Sequence, residues 1–157
     1  MSNGYFAIGI FHSKRIENLG TLWRSADNLG AAYIFTIGRR YTGQGSDTTK
    51  AYKRIPLINY PDWETFLKAR PMSTLLIGIE QCEKSQSIIN FTHPPRAIYL
   101  LGAEDYGLSK EIIKECQKVI SIPTINCINV AVAGSIVMFD RIRQFKEDNL
   151  PTRRIQI

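Results

Sequence analysis

The chain has 157 residues, 44% of them hydrophobic and 22% charged, the balance of one globular domain rather than a disordered chain. No apolar run approaches the roughly 20 residues of a membrane span, and the opening MSNGYFAIGIF lacks the basic region and cleavage site of a signal peptide, so a soluble, cytoplasmic protein is expected. Three cysteines without CxxC spacing and only two histidines argue against a disulfide framework or a metal site, while 20 Lys and Arg against 14 Asp and Glu suit, without requiring, a nucleic-acid partner.

In chain order, YFAIGIF (5–11) reads as a buried strand. The next segment repeats apolar residues at Ile16, Leu19, Trp23, Ala26 and Leu29, a helical spacing that Gly30 would stop. YIFTIG (33–38) is a second strand. Residues 39–56 carry Arg39, Arg40, Lys50, Lys53 and Arg54 against a single acid, Asp47, with two glycines and several hydroxyls. They read as an exposed loop: either a solvated surface or a flexible basic arm that grips phosphates, with Tyr41 and Tyr52 able to stack on bases. PDWETFLKA (61–69) opens with Pro and acids, as a helix does. TLLIGIE (74–80) and AIYLLG (97–102) are strands. SKEIIKECQK (109–118) is a helix with Ser109 as its N-cap. VISIP (119–123) is a last strand, and a final helix runs from about Val130 to Lys146. Strands alternating with helices predict one α/β domain, a mostly parallel sheet flanked by helices on both faces.

In such sheets ligands bind beyond the carboxyl ends of the strands, and three segments there carry residues that packing alone would not select. NLGTLWR holds Asn18, which could cap the first helix, and Arg24, which could pair with Asp27 or bind a phosphate. LLGAEDYGLS places Glu104 between Gly102 and Gly107 in a tight loop. It has neither GxGxxG nor GxxxxGK, and its acids disfavour a triphosphate. NCINVAVAG presents Asn126, Cys127 and Asn129 at the mouth of the last helix, where they could cap it or shape a site.

Together, in this order and spacing, the three segments resemble the SpoU/TrmH branch of the SPOUT methyltransferases. Asn18, Gly20, Arg24 and Ala26 match its N-x-G-x-x-x-R-x-A block. Gly102, Glu104, Gly107, Leu108 and Ser109 match G-x-E-x-x-G-L-S, and Ile122, Pro123, Asn129 and Val130 match the last block. The likeness covers about residues 5–146. It implies a C-terminal deep trefoil knot, S-adenosylmethionine bound within it with no metal, a homodimer that completes the site, and methyl transfer to a ribose 2′-hydroxyl of RNA. By the same resemblance, Asn18, Arg24, Glu104, Cys127 and Asn129 form the reacting end. Ile79, Leu101, Gly102, Ile122, Pro123, Ile128 and Ala131 hold the cofactor, Gly102, Ile122 and Ile128 through their main chain. Arg39, Arg40, Lys50, Lys53 and Arg54 would contact the RNA, helped by the tail at 150–157. The preferred substrate is tRNA, with rRNA as the alternative.

The chain departs from the pattern at several points: Asp105 stands where glycine is common, and the turn between Pro123 and Cys127 is short. Cys127 and Ala131 stand where the family has serines, and a thiol is a weaker hydrogen-bond donor. These two departures motivate the rival reading of an RNA-binding protein of the same fold that has lost catalysis.

Overall fold

The computed structural model describes residues 4–39 and 50–145. Seven strands form one sheet in the order β3-β2-β1-β6-β4-β7-β5. They are β1 (Tyr5–Phe11), β2 (Tyr33–Ile37), β3 (Leu57–Tyr60), β4 (Leu75–Ile79), β5 (Gln86–Ser87), β6 (Arg96–Leu101) and β7 (Lys118–Ser121). Every pairing between them is parallel, so both faces must be covered by other elements. The α-helices are α1 (Ile16–Asn28), α2 (Trp63–Ala69), α3 (Lys110–Glu115) and α4 (Val130–Gln144).

Strand alternation divides the core in two. Ile8, Ile10, Ile77, Ile79, Tyr99 and Leu101 face one layer, where they meet Leu22 and Trp23 of α1 and Val137 and Met138 of α4. Ala7, Phe35, Leu76, Ile98 and Leu100 face the other, against Phe66 of α2 and Ile112 of α3. Each fully buried Ile or Leu contributes roughly 1.5–3 kcal/mol of transfer free energy, so this two-sided burial is what holds the sheet. On the first layer α1 and α4 pack closely: a Cβ on Gly134 would come within 2.5 Å of a Leu22 methyl.

The five expected strands and four helices are present, with shifts that have local causes. Two strands were not expected. β3 follows the basic segment directly and pairs with β2, while β5 has only two residues, too few for any periodicity. α3 stops at Glu115, short of Lys118, because Lys118 already pairs with Ile77 as the first residue of β7. β7 ends at Ser121, two residues before Pro123, which has no N–H to continue a ladder. Ser109 does cap α3, accepting from the Ile112 N–H, and Asn129 caps α4. Asn18 does not cap α1: Arg15 occupies that position without a side-chain bond, and Asn18 lies inside the first turn, buried.

The expected loop at 39–56 is in part wrong. Ala51 to Lys53 form a 3-10 turn, Ala51 and Ile55 are buried, and the Trp23 indole donates to the Ile55 carbonyl at 3.1 Å. Arg54 donates to Asp27 of α1 at 2.6 Å. Residues 50–56 are therefore docked on α1 by an apolar anchor and an ion pair. Arg40, the rest of that segment through 49, Lys146 and the 150–157 tail lie outside the described residues.

Candidate active site

The register of the sheet puts the three motif segments at one edge. Ile10 of β1 pairs with Leu101 of β6, Leu101 with Ile79 of β4, and Ile79 with Ile120 of β7. Four strands thus end on nearly one line, and the segments after β1, β6 and β7 leave it as neighbours. After β7 the chain travels back across the ends of β4 and β6, because Asn129 reaches Asn18 at the start of α1.

A chain of hydrogen bonds joins the segments. The Asn129 Oδ1 accepts from the Ala131 and Val132 N–H groups at 2.8 and 3.3 Å, the first turn of α4. Its Nδ2 donates to the Asn18 Oδ1 at 2.8 Å. The Asn18 Nδ2 donates to the Glu104 Oε1 at 2.7 Å. The polarity of this relay is fixed at both ends: helix N–H groups can only donate, and an ionised carboxylate can only accept. Each amide therefore has a single satisfactory orientation, which determines the placement of both asparagines.

Glu104 is held from a second side. The Lys14 N–H donates to its Oε2 at 3.0 Å, and the buried Ser13 hydroxyl to its Oε1 at 3.3 Å. Burial opposes the charged form, but the bonds from Asn18 and the Lys14 N–H outweigh it and keep the carboxyl below its ordinary pKa. The carboxylate is ionised at neutral pH. Lys14 also pairs through its ammonium with Asp105, which raises the lysine pKa, so the segment after β1 holds the 103–107 loop by three contacts.

That loop is closed by its own backbone. The Gly107 N–H donates to the Ala103 carbonyl at 2.9 Å, and Gly107 has φ +63°. A Cβ on Gly102 would lie 2.2 Å from the Gly107 carbonyl carbon, and one on Gly107 would lie 2.2 Å from the Glu80 Oε2. Both glycines are thus required by the fold itself. Glu80, at the end of β4, accepts from the Leu108 N–H at 2.7 Å and the Gln81 N–H at 2.9 Å, while Gln81 donates to the Ile122 carbonyl at 2.8 Å. These bonds connect the loops after β4, β6 and β7.

Among the expected site residues, Asn18, Glu104 and Asn129 come together. Arg24 lies six residues beyond Asn18 on α1, turned from it by roughly 120° around the helix. Cys127 is exposed two residues before Asn129. Of the expected cofactor residues, Ile79, Leu101 and Ala131 are buried beneath the site, so their side chains support it from below. Pro123 and Ile128 are exposed beside it, with Ile122 half-buried. In the basic segment, Arg39 donates to the Lys14 carbonyl at 3.1 Å, Lys50 is exposed in a left-handed conformation, and Lys53 lies 6.0 Å from the Tyr52 ring centroid. Ser13, Lys14, Glu80 and Gln81 were missed by sequence reasoning. The polar run that directly follows β1 was the available signal for the first two. Among the described residues no cluster of three His, Cys, Asp or Glu side chains could hold a metal ion, and no helix is long and apolar enough to cross a membrane.

A parallel sheet with polar loops converging beyond its carboxyl edge defines an α/β ligand-binding domain. More particularly, residues 6–139 match the sequence profile of the SpoU rRNA Methylase family, and the chain belongs to that family. It is similar to the 23S rRNA (guanosine-2′-O-)-methyltransferase RlmB of Salmonella typhi, 27% identical over 136 residues that make up 82% of this chain and 56% of that protein. The chain spans just over half the length of such relatives. The AdoMet-bound rRNA methyltransferase of Sinorhizobium meliloti has the same fold, with a TM-score of 0.80 at 24% identity over 90% of this chain and 57% of that one. A structure described as giving insights into 2-OH methylation of C/U34 on tRNA superposes with a TM-score of 0.78 at 18% identity, over 91% of this chain and 97% of that one.

Proposed function

We propose that this protein transfers a methyl group from S-adenosylmethionine to a ribose 2′-hydroxyl of RNA, with tRNA as the substrate. The observation that carries the reading is the Asn129–Asn18–Glu104 relay, because it unites the three segments that define the resemblance and fixes their polar groups in one place. Bound S-adenosylmethionine supplies an electrophilic methyl group. The residues fit such a ligand: Ile128 and Pro123 offer apolar surface, the peptide groups of Gly102 and Ile122 follow directly on β6 and β7 while that of Ile128 precedes the cap of α4, and the relay offers polar groups of fixed direction. What this chain contributes is alignment, and in-line positioning can supply much of the lowering of the barrier. Asn129 also ties the mouth of α4 to α1, so the ligand-facing segment 122–129 is held at its far end.

The knot expected from the resemblance is part of this proposal. Support comes from β7 lying between β4 and β5 while the next segment returns to α1. So is a homodimer. Ile128, and Val132, Ile136 and Phe139 along α4, form an exposed apolar stripe at helical spacing, with Phe139 61% exposed. We place the partner there and assign Arg24 of each subunit to the partner's site, since it is turned away from its own relay. A guanidinium with a pKa above ~12 is a poor base, so Arg24 anchors the adjacent phosphate and polarises the 2′-oxygen. The 2′-hydroxyl separates RNA from DNA as substrate. Lys50 and Lys53 would contact phosphates, while Arg54, held by Asp27, acts through the docking of its segment.

A second reading, 23S rRNA as substrate, is favoured by the RlmB likeness, whereas the tRNA reading draws on the structure matched over 97% of its own length. The deciding experiment is transfer of labelled methyl to tRNA and to 23S rRNA, comparing wild type with Arg24→Ala. Label in a nuclease-resistant dinucleotide, lost in the variant, is expected with tRNA. Label confined to 23S rRNA would replace the substrate. Calorimetric binding of S-adenosylmethionine with no label in either RNA would turn the reading to a binding protein, with Cys127 and Ala131 as the first suspects.

A further inference from the structure

We propose that Tyr106 is a stacking platform for a base of the bound RNA next to the reacting nucleotide, with Lys14, Arg15 and Arg39 around it to receive the phosphates. This rests on the RNA reading above and names the residues that position the substrate. Tyr106 is 83% exposed although it sits in a tight loop. The Ala103–Gly107 bridge closes that loop, so the ring projects from a fixed base instead of collapsing onto the protein. The Lys14 ammonium lies 4.9 Å from the ring centroid and is itself tied to Asp105, the residue before the tyrosine. A cation over an aromatic ring occupies one face, and the opposite face remains for a second planar group.

The surroundings match a nucleotide rather than a protein side chain. Lys14 is bonded through its carbonyl to Arg39, and Arg15, next in the chain, is exposed, so three cations stand against two acids here: Asp105, paired with Lys14, and Glu104, whose oxygens are already engaged by Asn18, Ser13 and the Lys14 N–H. Rings interleaved with basic groups are how single-stranded nucleic acid is held without base-edge readout. Tyr106 is two residues from Glu104, so the two Cα atoms lie within ~7 Å of each other. A base on this ring would belong to a nucleotide adjoining the one at the site.

The test uses Tyr106→Ala, Tyr106→Phe and Lys14→Gln in the full chain, with labelled single-stranded oligoadenylate and oligouridylate as probes. Wild type should bind oligoadenylate more tightly, because a purine offers more surface to stack. Tyr106→Ala should weaken that binding roughly tenfold to a hundredfold with the slope against log salt unchanged. Tyr106→Phe should restore it, and Lys14→Gln should flatten the salt slope. On an RNA that accepts methyl, Tyr106→Ala should raise KM with kcat and S-adenosylmethionine affinity unchanged. Wild-type affinity in Tyr106→Ala, no rescue by phenylalanine, or no oligonucleotide binding by wild type overturns the proposal. Stacking through Tyr106 without methylation of any RNA would remove the proposed activity and keep the platform. Methylation with an unaltered KM in Tyr106→Ala would do the reverse.

Discussion

Asn18→Asp changes one NH2 group to oxygen and tests the polarity of the relay directly. In the wild type the Asn18 Nδ2 donates to the Glu104 Oε1 at 2.7 Å. The substitution sets a second carboxylate against the first, with charge centres about 4 Å apart. Their repulsion is about 4 kcal/mol at an effective dielectric constant near 20 and about 1 kcal/mol in water. Glu104 is partly exposed, so about 2 kcal/mol of destabilisation at neutral pH is expected, a fall in Tm of roughly 4–8 °C for a domain of this size. The pH dependence is more telling than the size. Glu104 in the wild type has a folded pKa below its unfolded value, so its stabilisation is present above the unfolded pKa and is lost as pH falls through the folded one. In the variant the coupled pair has one folded pKa raised above the unfolded value. Its penalty is therefore absent below the unfolded pKa and grows as pH rises through the raised one. Melting curves from about pH 4 to 8 should show the variant approaching wild type in acid and diverging above the carboxylate range. Parallel pH profiles, or equal stability at neutral pH, would refute the assigned direction of the hydrogen bonds.

Asn129→Ala removes both the α4 cap and the link to Asn18, and urea denaturation should show a loss of about 1–2 kcal/mol. Asn129→Ser keeps a capping oxygen without the reach to Asn18, so it should recover most of that stability while methyl transfer stays low. Gly107→Ala places a methyl against the Glu80 carboxylate at positive φ and should cost at least about 1–3 kcal/mol in the same assay. Lys50→Gln with Lys53→Gln should lower the slope of log affinity against log salt by about one unit per lost phosphate contact. Arg54→Gln should instead lower Tm, because its partner Asp27 is left on α1. Phe139→Asp should convert a dimer to a monomer in sedimentation equilibrium, and a monomeric wild type would remove the proposed interface.

How far the chain could be read depended on the range of each interaction. The periodic segments were legible because their cause is local: Ile8 and Ile10 alternate with Ala7 and Gly9 whatever else the chain does. Ser109 and Asn129 were recognisable as caps for the same reason. β5 was not, since two residues carry no pattern and its only warrant is pairing with Ile120 and Ser121. That Asn18 would not act as a cap could not be read locally, because its partners, Glu104 and Asn129, lie 86 and 111 residues away. The docking of 50–56 was hidden in the same way, since its polar composition describes a loop while Trp23 and Asp27, far upstream, decide its place. The resemblance supplied which long-range polar residues belong together, and the structure supplied the direction of their bonds.

The separation of 111 residues between Asn18 and Asn129 also sets a condition on biosynthesis. A ribosome delivers this chain from the amino end, and the segment carrying Asn18 emerges long before α4 exists. Until α4 has been made and docked on α1, Asn18 has no amide to receive and α1 leaves Leu22 without its cover. α4 ends at Gln144, so more than nine tenths of these 157 residues must leave the exit tunnel before that contact can close, and closing so distant a contact is slow. Nascent chains that stop before α4 therefore lack the Asn18–Asn129 link and leave the apolar layer shared by α1 and α4 uncovered.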